Sequence, residues 1–115
     1  MTWDDVVAIA GGLPEAEVST SYGTPALKVR KKLFARLRSD AGGALVLMCP
    51  LDEKEALLAS GDPAYFTSPH YDGHGSILVD LDRVAPDQLA ELIEDAWRHR
   101  APARLRAAHD STRNG

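Results

Sequence analysis

The sequence holds a single cysteine, Cys49, so an intrachain disulfide is excluded and a reducing compartment suits it. It has no long hydrophobic run. The longest, Ala44 to Cys49, is far shorter than the ~20 residues a membrane-spanning helix needs. It has no basic start followed by an apolar stretch: Thr2-Trp3-Asp4-Asp5 is acidic, unlike a secretory signal. These absences predict a cytoplasmic chain that does not engage a membrane. A glycine-rich nucleotide cradle is also missing, because Gly11-Gly12 follows a helical pattern rather than a strand. Aromatic residues make up only 6% of the chain, and Trp3 and Trp97 sit at apolar helix positions, where they read as packing. No repeat, low-complexity tract or linker divides the sequence. One domain over residues 1–110 is expected, with a flexible tail over 111–115 and a monomeric state.

What is present is an ordinary globular composition, 44% hydrophobic and 26% charged over 115 residues, enough to bury a core without staples. The net charge of −4 argues against a wholly basic nucleic-acid binder, but it hides a strongly uneven layout. Residues 1–25 carry four acids and no base, and residues 41–95 carry eleven acids and two bases. Between them, residues 26–40 carry six bases and one acid, and residues 96–115 carry five bases and one acid. Two cationic islands therefore interrupt an acidic chain.

Periodicity supplies the elements. Trp3, Val6, Val7 and Ala10 make one apolar helix face, with Thr2 as N-cap and Asp5 in the capping-box position. From Val18 the pattern turns extended. Ala26 to Val29 and Leu33 to Arg38 alternate as a hairpin closed by Arg30-Lys31-Lys32. Leu27, Val29, Leu33, Ala35 and Leu37 would then face the core, and Lys28, Phe34, Arg36 and Arg38 would face outward. Asp40 to Gly43 reads as a turn, Ala44 to Cys49 as a central strand, and Asp52 to Ser60 as a helix capped by Asp52. Ala64 to Ser68 and Ser76 to Leu81 read as strands around a polar loop, Pro69 to Gly75. Leu89, Leu92, Ile93, Ala96 and Trp97 define a long helix starting near Pro86, with Ala103 to Ala108 as one further turn. Strands joined by short turns cannot form a parallel βαβ array. The expected class is α+β, an antiparallel sheet with helices covering one face.

Four stretches, Ser19-Thr20-Ser21-Tyr22-Gly23-Thr24-Pro25-Ala26, Lys32-Leu33-Phe34-Ala35, Pro69-His70-Tyr71-Asp72-Gly73, and Ala96-Trp97 with Ala101-Pro102 and Leu105, together resemble the MmcQ/YjbR family of small bacterial proteins. The resemblance spans residues 3–106. It implies a frataxin-like (CyaY-like) outline with two β-wings and a double-wing DNA-binding role. It implies no reaction and no catalytic residues.

The candidate sites follow from the charge layout. Lys28, Arg30, Lys31, Lys32, Arg36 and Arg38 are suited to phosphate contacts, with Phe34 among them as an aromatic platform. The competing reading is a solvated basic edge that resists sheet-to-sheet association. Arg98, Arg100, Arg104 and Arg106 either extend that patch or stabilise a helix C-terminus and pair with Glu91, Glu94 and Asp95. Ser21, Tyr22, Thr24, His70 and Tyr71 are suited to orienting a small polar molecule or anion, the alternative function. His70, Asp72 and His74 lie on a glycine-bearing loop rather than one helix face, so no metal site is expected. Nothing pairs a nucleophile with a base. The expectation is a non-enzymatic binding domain without a cofactor, its partner being DNA or, alternatively, a small molecule.

Overall fold

The computed structural model describes residues 1–21, 23–38, 44–69, 71 and 73–114, with side chains described to residue 111. Its elements are α1 (Trp3–Ala10), β1 (Ala16–Ser21), β2 (Thr24–Val29), β3 (Lys32–Arg38), β4 (Ala44–Met48), α2 (Leu51–Ala59), β5 (Tyr65–Phe66), β6 (Ser76–Val79), α3 (Pro86–Arg100) and α4 (Ala103–Asn114). The strands form one antiparallel sheet in the order β1-β2-β3-β4-β6-β5. The α+β class expected from the sequence is the one observed.

The inner face of the sheet carries Leu27, Val29, Ala35, Leu45, Leu47, Ile77 and Val79, all buried in the main core. The amphipathic stripe of α3 packs onto it through Leu89, Leu92, Ile93, Ala96 and Trp97. At roughly 1.5–3 kcal/mol for each large apolar side chain removed from water, this stripe is a principal source of stability. Trp97 is fully buried, and its indole N–H donates to the Pro14 carbonyl at 2.9 Å, tying α3 to the loop before β1. Helix α1 starts with a complete capping box. The Thr2 hydroxyl accepts from the Asp5 N–H and the Asp5 carboxylate accepts from the Thr2 N–H, which holds the Asp5 carboxyl below the usual carboxylate range.

Three local expectations are corrected. Helix α2 begins one residue early, at Leu51, and Asp52 does not cap it. Pro50 occupies the N-cap, a residue with no side-chain acceptor. Helix α4 runs through Asn114 rather than ending at Ala108, so the stretch 111–114 expected as a loose tail continues a helix. It is anchored by buried Leu105, by Arg98 on Asp110, and by His109 on Glu94 at 3.0 Å. The strand expected to reach Leu81 stops at Val79. The turn expected over Asp40–Gly43 and residue Gly115 of the expected tail lie outside the described residues.

Candidate nucleic-acid interface

The β2–β3 hairpin is built differently from the sequence expectation, and the difference decides which side chains face outward. Its connection has two residues, not three: Arg30 and Lys31 have φ of 49° and 69°, and Lys32 already belongs to β3. Positive φ at both central residues is the geometry of a type I′ turn, normally filled by Asn-Gly. The ladder then pairs Val29 with Lys32 and Lys28 with Leu33, but Leu27 with Ala35. One residue, Phe34, is therefore extra. Such a bulge lets two successive side chains point to one side. Phe34 and Ala35 both enter the core with no exposed surface. The aromatic platform expected among the cations is not formed, because the bulge turns that ring inward.

Beyond the bulge the alternation places Arg36 and Arg38 on the outer face with Lys28. Arg36 stands between Ala26 and Val46, and Arg38 opposite Ala44. Lys31 and Lys32 are exposed at the tip. Arg30 is exposed too, but its Nε and Nη2 reach Glu15, at 2.8 and 3.0 Å, which largely cancels its charge. Lys28 faces Glu17 across β1–β2.

A short apolar patch of Val46 and Leu78, flanked by Met48 and Phe66, continues the outer face and is covered by Tyr71. The Arg36 guanidinium donates to the Tyr71 hydroxyl at 2.5 Å, and the Arg38 guanidinium lies 5.2 Å from the centre of the same ring. The loop carrying Tyr71 is held from beneath. The Lys54 ammonium, 4% exposed, donates to the carbonyls of Tyr71 at 2.5 Å and His74 at 3.0 Å. The loop also closes on the end of β4, where the Cys49 N–H donates to the Gly75 carbonyl at 3.0 Å. A Cβ on Gly75 would stand 3.1 Å from the Cys49 carbonyl, so glycine permits the approach. Cys49 is a buried free thiol, and its pKa is pushed up to about 11 mainly by burial, which marks it as inert packing.

Lys54 was not legible as a site residue from composition, yet a signal exists. It shares the inward stripe of α2 with Leu57 and Leu58, at i+3 and i+4, where an apolar residue is the rule. Replacing it with methionine keeps the volume and removes both hydrogen bonds. Lys54→Met is expected to lower the unfolding free energy by about 2–3 kcal/mol in urea titrations, because two buried carbonyls lose a charged donor.

Beside Tyr71 lies a cleft of about 260 Å³ lined by Met48, Tyr71, His74, Gly75 and Ser76. Of the described side chains expected to orient a small ligand, Tyr71 lines it. Thr24 donates its hydroxyl to the Ser21 carbonyl at 2.7 Å and so closes its own turn. Tyr22, His70 and Asp72 lie outside the described residues. Among the described residues, no three His, Cys, Asp or Glu side chains gather as metal ligands.

The second island is largely engaged with its own helices. Arg98 pairs with Glu94 at 3.6 Å and Asp110 at 2.5 Å, and Arg106 donates to the carbonyls of Arg98 and Ala101. The helix-end pairing weighed against a DNA role is thus what Arg98 does. Arg100 is the point where the islands meet: its Nε donates to the Leu33 carbonyl at 3.1 Å, next to the bulge. Glu53 and Asp95 are raised above the usual carboxylate range by burial, with neighbouring carboxylates adding to it.

A family model described as YjbR matches residues 11–99. The chain belongs to the YjbR family. Proteins described as uncharacterized from Mycobacterium bovis and Mycobacterium tuberculosis are 36% identical over 118 residues, covering 90% of this chain and 92% of theirs. The crystal structure of a Deinococcus radiodurans protein described by the family-model domain DUF419 superposes with a TM-score of 0.71 at 20% identity, over 84% of this chain and 75% of that one. That likeness is one of fold. Within the YjbR match lie the whole basic hairpin, Lys54 and the Tyr71 loop; α4 lies beyond it.

Proposed function

We propose that this protein binds double-stranded DNA through the outer face and tip of the β2–β3 hairpin. The observation that carries the reading is the register: it aligns Lys28, Arg36 and Arg38 on the outer face of the sheet at the β2–β3 hairpin, whose tip adds Lys31 and Lys32. Cations so placed contact phosphates without reading bases. The turn supports the reading. Arg30 and Lys31 hold left-handed backbone that Asn-Gly would adopt with less strain, so basic side chains stand there at a conformational cost of about 1 kcal/mol or more each. The acidic remainder repels DNA elsewhere and so orients the encounter. The same role is the one proposed for double-wing members of the family resembled by the sequence, and it goes with a non-enzymatic chain working in the cytoplasm.

The test is fluorescence anisotropy with a labelled duplex at low ionic strength. Binding in the micromolar range is expected, and no change at tens of micromolar protein contradicts the proposal. The cleft beside Tyr71 favours a second reading, a small polar or anionic ligand. Under that reading the DNA titration stays blank while a small molecule raises the melting temperature.

A further inference from the structure

Among the described residues, one edge of the sheet, β1, has no strand or helix paired along it. At the other edge β5 has only two residues, with α2 packed beside it, whereas β1 has six. Sheet edges are commonly blunted by lysine, proline, a bulge or a covering element. Ala16–Ser21 contains no lysine or proline, its register with β2 is unbroken, and Glu17 is its one charge. Val18 is 61% exposed, a large apolar side chain standing in water on the helix-bearing face, opposite Leu27.

The backbone of β1 is in phase for a further strand. Ser21 and Thr24 flank a two-residue connection, and such a connection closes on a hydrogen-bonded pair. Counting back in twos, Glu17 and Ser19 direct their N–H and C=O groups to β2. Ala16, Val18 and Thr20 direct theirs to the open edge. The Ala16 N–H is taken by the Leu13 carbonyl at 3.3 Å. For Val18 and Thr20 no backbone partner outside the ladder is found among the described residues.

We infer that β1 pairs antiparallel with β1 of a second copy about a two-fold axis at Val18. Facing side chains must share a sheet face, which restricts the axis to pass through a residue pair rather than between residues. Centring on Glu17 sets it against the partner's Glu17, a destabilising like-charge pair. Centring on Ser19 leaves each valine opposite a threonine. Centring on Val18 sets it against the partner's Val18, covering both exposed valines. It also matches Ala16 with the partner's Thr20, and Glu17 with the partner's Ser19. The two valines exchange backbone hydrogen bonds, and each Thr20 N–H reaches the Ala16 carbonyl across the axis. The axis runs perpendicular to the sheet, so both copies present Lys28, Arg36 and Arg38 on one side. Because the other edge is short and flanked by α2, pairing stops at two. The contact is narrow beside the ~1,600 Å² of a standard interface, so the dimer forms at high micromolar concentration.

Sedimentation velocity without DNA, from micromolar to millimolar protein, tests this. The wild type is expected to pass from monomer to dimer and no further. Val18→Glu sets two carboxylates face to face, and Thr20→Pro removes an N–H from the open edge without touching the β2 ladder. Each is expected to keep the circular dichroism spectrum of the wild type and to weaken the dimer at least tenfold. A wild type that stays monomeric at millimolar concentration, or a dimer that persists in either folded variant, overturns the inference. Should Thr20→Pro not fold, Val18→Glu decides alone. None of these outcomes bears on whether the monomer binds DNA.

Discussion

Phe34→Ala is expected to lower the unfolding free energy by about 3–5 kcal/mol, the loss typical of deleting a fully buried aromatic ring. Phe34 has no exposed surface and packs among Leu27, Val29, Ala35 and the α3 stripe, so little around it can collapse into the gap. Urea denaturation gives the value. For a domain of this size, that is a large fraction of a total stability of about 5–15 kcal/mol. The DNA affinity of the molecules that remain folded is expected to be unchanged. An outward platform would give the reverse, a small stability loss with weakened binding. One substitution therefore decides whether the bulge places this ring as described.

Reversing the two outer-face arginines is expected to act the other way round. Arg36→Glu with Arg38→Glu should weaken duplex binding at low salt at least ~30-fold, since two phosphate contacts are lost and two repulsions appear. The fold should survive. Both side chains are partly solvent-exposed on the outer face, and the stability lost includes the Arg36 hydrogen bond to Tyr71 and the Arg38 contact with the same ring, about 1 kcal/mol each. Anisotropy titrations paired with urea curves separate the effects. Loss of binding with near-native stability supports the cationic face, and unchanged binding removes it.

How far the sequence announced this depends on which physical signal each feature uses. Helices α1 and α3 were legible because the period of apolar residues is local: Val6 and Ala10, or Leu89, Ile93 and Trp97, recur on one face whatever surrounds them. The outward direction of Lys28, Arg36 and Arg38 was legible for the same reason in strands. Phe34 was not. A bulge inserts one residue into an alternating pattern, and nothing local distinguishes it from a three-residue loop that restores the same register. The reading over Arg30-Lys31-Lys32 used that longer loop and so assigned the aromatic ring to the wrong face.

Long-range partners were equally invisible. Arg30 reads as a free cation until the fold brings Glu15 beside it, and Arg98 reads as a patch residue until α4 returns Asp110 to it. The length of α4 follows from those contacts rather than from its own propensity, which is why Ala108 looked like its end. Lys54 was overlooked because its worth lies in two carbonyls of a loop far away in sequence. Among the candidate ligand-orienting residues, Tyr71 of the Pro69–Gly75 loop lines the cleft. Thr24 turned out to serve its own hairpin turn.

The central claim is that the cations of the hairpin's outer face and tip act together on phosphates. The most direct measurement is the slope of log Kobs against log salt concentration for a short duplex. Up to five contacts, from Lys28, Lys31, Lys32, Arg36 and Arg38, correspond to a slope of about −3 to −4.5 at ~0.9 per phosphate. A slope in that range, made shallower by about 2 in the Arg36→Glu, Arg38→Glu variant, is the predicted result. Binding that does not respond to salt, or a slope that the variant leaves untouched, contradicts it.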